Sequence, residues 1–398
     1  MIYPHIVVGA GASGLFFSAA AENSGGGLIL EKKSLPGIKF LLTGNGQCNI
    51  THGGSIKDFI PCYGPGGRVI RSCLYKYNNL SLIEFLHKNG VDTFIREDGK
   101  IFPKSMKARE ILEMLLLKAE ENGFLLRCDT EVTAVRRREK DLWEVCTNAG
   151  SFLCRKLILS GGGCSYPKTG SDGSLLRILS RDLHIRTVTP RPALSPVFVC
   201  DYPYGRIAGI ALKKVQLCLF REKKKIAEGV DDLLFTHTNL SGPLILNLSK
   251  EMEKNDEIML NYLYPCDKTS ALDKINTAVK SRKTSLLNTL SGELNLPKNF
   301  LKILIERSGP SLKKISAALT EDRFSVQEVC GFEKAMATCG GIDLSEIDLK
   351  SMELKNHPGI YAIGEILDVD GRTGGYNLQF AYSSACAASS VSPASIKR

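Results

Sequence analysis

The chain has 398 residues, of which 43% are hydrophobic and 24% charged, and it carries a formal net charge of +10. That length predicts two or three domains, and the composition excludes disordered, collagenous and disulfide-scaffold classes. No run of 18 apolar residues occurs and no leader-like segment precedes the first strand, so a protein without a membrane partner, located in the cytoplasm, is expected.

Ile6-Val7-Val8 leads directly into Gly9-Ala10-Gly11-Ala12-Ser13-Gly14. A stretch of small residues from Ser18 to Ala21 follows, and Leu28-Ile29-Leu30 reads as a second strand ending at Glu31. A Gly-x-Gly-x-x-Gly turn with a strand before it, a helix after it and an acid about 20 residues on predicts an adenine-dinucleotide site. Gly9 permits the tight turn, Gly11 lets backbone approach a pyrophosphate, and Gly14 lets helix and strand pack closely. The N–H groups and positive end of the helix meet the phosphates. Glu31 is placed to accept from ribose hydroxyls, which favours a free 2′-OH. The motif by itself leaves FAD and NAD open.

Residues 36–54 read as a long ordered loop. A helix is expected over Leu80–Asn89 and a strand over Val91–Ile95. A further helix is expected to be capped by Ser105, to run to Asn122 and to stop at Gly123. Phe124–Arg127, Glu131–Arg137, Leu142–Thr147 and Phe152–Cys154 read as short antiparallel strands, and Lys156–Ser160 as a buried strand ending in Gly161-Gly162-Gly163. From about Thr187 prolines become frequent. Strands are expected over Ala211–Arg221, Lys225–Val230 and Asp232–Thr236, and helical periodicity over Asp267–Leu319. Phe332–Gly341 returns towards the sheet. Pro358–Glu365 reads as a buried strand, and Tyr376–Ser389 as a final helix.

Thirteen cysteines are scattered without a Cys-x-x-Cys pair, and the six histidines show no metal-ligand spacing. Small core thiols in a reducing compartment are expected, and no metal. The densest basic runs, Arg136-Arg137-Arg138 and Lys223-Lys224-Lys225, are each followed by an acid near a hairpin turn. They read as solvated faces, so a nucleic-acid partner is not expected.

The segment Gly364-Glu365 through Gly374-Gly375-Tyr376-Asn377-Leu378 turns the choice towards FAD. A strand ending in Gly-Glu, then a Gly-Gly turn into a helix, suits the ribityl chain and pyrimidine edge of a flavin. The helix N-terminus would stabilise charge near N1 and C2.

At this point the chain resembles the BaiN-like (YhiN-like) bacterial flavoproteins, a branch of the glutathione-reductase-type FAD fold. Four blocks carry the resemblance: the N-terminal motif with Glu31; Gly37-Ile38-Lys39 leading to Thr43-Gly44-Asn45-Gly46-Gln47-Cys48-Asn49; Gly161-Gly162 with Ser165-Tyr166-Pro167-Lys168-Thr169-Gly170-Ser171; and Thr338-Cys339-Gly340-Gly341 through Gly364-Glu365 to Asn377. Phe235-Thr236-His237 and Leu240–Pro243 resemble the family's inserted domain. The resemblance implies an α/β fold with a Rossmann-like FAD-binding domain built from both chain ends, an inserted β-barrel-like domain and a helical subdomain. The expected segments are 1–190 and 341–398 for the FAD domain, 191–266 for the β-rich insert, 267–322 for the helices and 323–340 for the return.

The residues expected to hold FAD are Gly9, Gly11, Ala12, Ser13, Gly14, Glu31, Lys32, Lys39, Thr43, Gly44, Gly46, Cys48, Asn49, Val132, Gly161, Gly162, Gly364, Glu365, Gly375, Asn377 and Leu378. The resemblance implies an FAD-dependent oxidoreductase with NAD(P)H as a transient co-substrate, some members being linked to reduction of steroid-like enones. Hydride would pass between flavin N5 and a small or medium organic substrate held between the FAD domain and the insert. A flavin-dependent amine or amino-ketone oxidase using oxygen, and a non-catalytic FAD-binding module with a basic surface, are the alternatives. Candidate proton carriers are Tyr166, Lys168, Tyr376 and His237, and Cys48 is a weaker redox candidate. Three positions depart from the family pattern: Gln47 stands where Arg is usual, Asp172-Gly173-Ser174-Leu175 replaces Thr-Gly-Asp-Gly, and Ala385 replaces a glycine.

Overall fold

The computed structural model describes residues 1–281 and 284–390. The chain divides into two compact units, residues 1–191 with 336–398, and residues 192–335.

The first unit is built on a parallel sheet. Its strands are β1 (Ile2–Val8), β2 (Gly27–Leu30), β3 (Phe124–Arg127), β4 (Gly150–Leu159) and β5 (Ile360–Ala362), in the order β3-β2-β1-β4-β5. This is the order of a Rossmann sheet, whose ligand crevice lies where the direction of winding reverses, between β1 and β4. β2 is buried at every position and β1 over its last four, as expected for strands covered on both faces. That explains why they read as continuous apolar runs without alternation. The covering helices used below are α1 (Ala12–Ala20), α2 (Gly64–Lys76) and α3 (Tyr376–Ser389).

Two sequence expectations are corrected in this sheet. Phe124–Arg127 pairs parallel with β2, not antiparallel, because the helix Ala108–Glu121 acts as a crossover that returns the chain in the same direction. The two strands expected within 152–160 are one strand. Its first half pairs antiparallel with Leu142–Thr147 and its second half parallel with β1. The helix Ala108–Glu121 also starts later than expected. Lys107 occupies the cap position with no side-chain bond, and the Ser105 hydroxyl accepts from Lys107 N–H at 3.3 Å.

In the second unit six strands pair in a closed ring: Val197–Val199, Leu240–Ser241, Lys224–Phe235, Ala211–Arg221, Glu257–Asn261 and Asp322–Val329. Lys224–Phe235 is one strand where the sequence suggested two. The helices Lys268–Ser281, Leu286–Leu294, Lys298–Ser308 and Leu312–Thr320 share one core with the ring. Ile275, Leu290, Phe300 and Leu319 pack in the same cluster as Val215, Leu217 and Phe235. The helical segment is therefore not separate from the β-rich segment, and the boundaries differ from those expected at 266/267 and 340/341. A charged network lies within this core. Asp322 accepts from Tyr204 Oη at 2.6 Å and from Tyr262 Oη at 2.8 Å, and Arg307 donates to it at 3.2 Å. Among the described residues no helix is long and apolar enough to cross a membrane.

Candidate functional site

Strand register builds the site. Val8 pairs with Leu30 on one side and with Leu159 on the other, and Leu159 pairs with Ala362. β1, β2, β4 and β5 therefore end level, and Gly9, Glu31, Ser160 and Ile363 leave the sheet side by side. Above these ends, within the first unit, lies a cleft open to solvent.

Most of the expected cofactor residues line it: Gly9, Gly11, Ala12, Ser13, Glu31, Lys32, Lys39, Thr43, Val132, Gly161, Gly162, Glu365, Asn377 and Leu378. The first motif frames one end. Glu31 accepts from Ala10 N–H and Lys33 N–H, both at 2.9 Å, and burial pushes its carboxyl above the ordinary value against those bonds. A carboxylate has about four acceptor positions, so two remain for a ligand.

Seven expected residues do not line the cleft, and packing explains several of them. A Cβ on Gly14 would stand 2.1 Å from the Gly9 carbonyl oxygen, so this glycine serves the α1–β1 approach. A Cβ on Gly364 would meet Ser13 Oγ at 2.6 Å, and one on Gly375 the Thr51 backbone at 2.6 Å. These two glycines let the end of the chain close onto its start. With its amide turned to suit its neighbours, Asn49 donates to the Ile101 and Thr51 carbonyls and accepts from Gly375 N–H. Cys48 is fully buried, which pushes its thiol up to about 12 and removes it as a redox thiolate. Gly44 and Gly46 shape the turn that presents Thr43.

At the cleft Lys39 Nζ donates to Glu365 Oε2 and to Ser165 Oγ, both at 2.5 Å. Ser165 Oγ donates to Glu365 Oε1 at 2.7 Å, and Thr338 N–H donates to the same oxygen at 2.9 Å. Two distant segments thus hold the Lys39 ammonium in place, and backbone from a third fixes the carboxylate. Lys32 is fixed in a similar way. It donates to Asp172 at 2.7 Å and to Ser174 Oγ at 3.1 Å, so the departing Asp172-Gly173-Ser174 sequence still supplies an acid to the cleft rim. Gln47 is exposed, and Ala385 lies on the buried side of α3, in the core of the first unit.

Among the candidate proton carriers, Tyr166 is half-buried in left-handed backbone, with φ 53°. Burial raises its phenol above the ordinary value, and among the described residues its hydroxyl has no hydrogen-bond partner. Tyr376 stacks on His52 at 5.6 Å and meets Phe59 and Tyr63 edge-on, so it is packed in an aromatic cluster. Lys168 is exposed. His237 is exposed in the second unit, on a turn held by Thr236 and Asn239.

Sequence reasoning missed Thr130, Glu131, Thr169, Gly170, Ser171 and Ser174 as lining residues. No spacing rule marks the first two; they follow β3 and reach the cleft because Thr130 N–H bonds the Glu31 carbonyl at 2.8 Å. Ser171 lay inside a recognised block, yet its particular feature is tertiary: its hydroxyl is buried without a partner.

That orphan hydroxyl and Gly11 together test the fit of a dinucleotide. A Cβ on Gly11 would meet no protein atom within 4 Å, so no protein contact demands glycine there, and the space it leaves opens into the cleft. The unsatisfied buried hydroxyl of Ser171, which lines the same cleft, calls for an outside partner. The residues fit FAD. Gly11 and the start of α1 would take the pyrophosphate, Glu31 the ribose, and Lys39, Asn377 and Leu378 the flavin end.

Comparison with known proteins accords with this geometry. Residues 3–391 match the family model described as HI0933-like protein Rossmann domain. The ribosomal RNA dihydrouridine synthase of Escherichia coli is 30% identical over 96% of each chain. The 3-dehydro-bile acid delta(4,6)-reductase of Clostridium scindens is 28% identical over 94% of this chain and 95% of its own. Among solved structures, the 3-ketosteroid-delta4-(5alpha)-dehydrogenase of Rhodococcus jostii RHA1 superposes with a TM-score of 0.53 at 16% identity, covering 97% of this chain and 96% of its own, which supports the fold. The chain therefore belongs to the HI0933-like family of FAD-binding Rossmann flavoproteins and is an FAD-dependent oxidoreductase.

Proposed function

We propose that the protein reduces a carbon–carbon double bond conjugated to a carbonyl, and that its substrate is a uracil base of ribosomal RNA, reduced to dihydrouracil with NAD(P)H as the electron donor. The observation that carries this reading is the whole-length likeness to two reductions of one chemical kind. Dihydrouridine differs from uridine by two hydrogens across C5=C6, a bond conjugated to the C4 carbonyl, and the bile-acid relative is named as a reductase of such an enone system.

FAD, when bound, supplies the hydride that goes to the β carbon of the conjugated bond. The chain's residues then have distinct tasks. Gly11, Glu31 and the start of α1 hold the adenosine and pyrophosphate end. Lys39, pinned by Glu365 and Ser165, keeps a positive charge at the other end. Tyr166, next to Ser165 in the chain, is the candidate to deliver a proton to the α carbon, although it does not itself line the cleft.

The test is anaerobic. The holoenzyme is mixed with NADPH or NADH, the flavin band is followed, and unmodified ribosomal RNA transcribed in vitro is then added and digested for mass spectrometry. Bleaching of the band by a nicotinamide, followed by a gain of two hydrogens on uridine, is expected. Bleaching without any dihydrouridine would sink the RNA reading. In that case a small cyclic enone, the substrate class favoured by the bile-acid relative, becomes the second reading, and its turnover is assayed in the same cuvette. Turnover only with oxygen, releasing peroxide, would turn both readings down in favour of an oxidase.

A further inference from the structure

We infer that the outward face of α2 is the surface on which RNA docks, an inference that rests on the ribosomal-RNA reading above. α2 buries Ile70, Cys73 and Leu74 in the core of the first unit and packs against α3, whose first turn lines the cleft. Two hydrogen bonds set its start beside the loop that leads into α3. Tyr63 Oη donates to the Tyr376 carbonyl at 2.8 Å, and Arg372 N–H donates to the Cys62 carbonyl at 2.9 Å. A Cβ on Gly66 would stand 4.0 Å from the Asp368 carbonyl oxygen, in the same loop. The far end of α2 is tied to α3 as well, where the Tyr77 carbonyl accepts from Gln379 Nε2 at 3.1 Å, so the helix lies along α3 beside the flavin end.

Its exposed side carries Arg68, Arg71, Tyr75 and Lys76, spaced at i, i+3, i+7 and i+8 and so sharing one face. The sequence Gly64–Lys76 contains no Asp or Glu. Among the described residues, the guanidinium groups of Arg68, Arg71 and the exposed Arg372 are not paired with any carboxylate. Tyr75 is 45% exposed, an aromatic ring standing free among cations. From Arg68 to Lys76 the face extends about 12 Å at 1.5 Å per residue, enough to meet more than one backbone phosphate. Phosphates bind Arg and Lys without regard to sequence, and an exposed aromatic ring offers a stacking platform to an unpaired base.

The densest basic runs differ from this face. Arg138 is bonded to Glu144 and Lys225 to Glu228, both at 2.8 Å, so part of their charge is answered within the protein. The three cations of the α2 face, Arg68, Arg71 and Lys76, form no ion pair with a carboxylate among the described residues and lie beside α3, whose first turn lines the cleft. A basic face beside the cleft would hold a long polyanion while one base enters it, something a small enone does not require.

The test compares holoenzyme carrying R68E/R71E, R68K/R71K or K223E/K224E with the parent, using unmodified ribosomal RNA made in vitro. RNA retention is measured across a salt series, and dihydrouridine by mass spectrometry. R68E/R71E is expected to bind at least tenfold more weakly, with a log–log salt slope shallower by roughly 1.4, two single-strand phosphate contacts at about 0.7 each. Its FAD content and melting temperature should match the parent, R68K/R71K should restore binding, and K223E/K224E should bind as the parent does. If the parent forms dihydrouridine and R68E/R71E binds RNA with parental affinity and slope, the α2 inference is wrong while the substrate reading stands. An equal loss in K223E/K224E also overturns it, since binding would then follow overall charge. If the parent neither retains the RNA nor modifies it, the substrate reading fails and this inference fails with it.

Discussion

Each unit holds a network joining one cation to one carboxylate, and the two networks differ in what surrounds them. In the second unit Arg307, Tyr204, Tyr262 and Asp322 are joined inside a hydrophobic core, with Arg307 also lying over the rings of Tyr204 and Phe324. In the first, Lys39, Ser165 and Glu365 are joined at the wall of an open cleft, and backbone from Thr338 completes the set. A network whose acceptor and hydroxyls are buried among apolar neighbours acts mainly on the fold, since a buried charge without its partner is costly. A network facing a cavity keeps acceptors and a charge available, and its rigidity serves whatever enters.

The largest expected effect tests the closed network. Asp322→Ala leaves two buried hydroxyls and a half-buried guanidinium without their acceptor. It should destabilise the protein by about 2–4 kcal/mol, below the full penalty of a buried pair because Arg307 keeps about a third of its side chain in water. Thermal melts read this directly, and a melting temperature unchanged from the parent would mean the core tolerates the loss and the network is not structural. Lys39→Met tests the open network. Its melting temperature should move little, but the midpoint potential of the bound flavin should fall by on the order of 30 mV, equivalent to about 1.4 kcal/mol for two electrons. A fall in melting temperature as large as that of the Asp322 variant, with no change of potential, would erase the distinction between the two networks.

The smallest effect concerns the rim of the open cleft. Burial alone would raise the Asp172 carboxyl, but the bonds from Lys32 and Ser174 outweigh it and hold the value below the usual 3.8. Its contribution is therefore present above about pH 3.8 and is lost as pH falls through the lowered folded-state value. Asp172→Asn should cost less than about 1 kcal/mol at neutral pH, since the pair is partly exposed. The gap between parent and variant should close in acid, as followed by melts across a pH series. A gap that widens in acid would contradict the assignment of the pair.

The residues that were legible in the sequence are those whose task is local. Gly9 to Glu31 could be read because turn, helix start and second strand lie within one short stretch, and spacing alone carries the geometry. Gly11 and Gly14 show where that reading stops. Both belong to the same motif, yet only the surroundings reveal that one faces open space and the other a carbonyl oxygen at 2.1 Å from its missing Cβ. Cys48 and Asn49 lie in a recognised loop and were expected at the cofactor. The first is instead packed in the core, and the second ties that loop to the start of α3. Ser171, Thr130 and the unpaired arginines of α2 carried no local signal, because being without a partner, or near a cleft, is a property of neighbours distant in the chain.

The sequence by itself determined the dinucleotide turn, the acid at its end and the glycine-rich return at the far end of the chain. All three depend on backbone needs that only particular residue types meet over a few positions. The tertiary structure alone decided that these pieces form one site. Level strand ends bring Gly9, Glu31, Ser160 and Ile363 together, and this register is a matter of packing between strands separated by as many as 200 residues or more, beyond the reach of any local pattern. It also decided which charges are answered: the crowded runs are partly neutralised by acids on neighbouring positions of their hairpins, whereas α2 keeps its cations free beside the cleft.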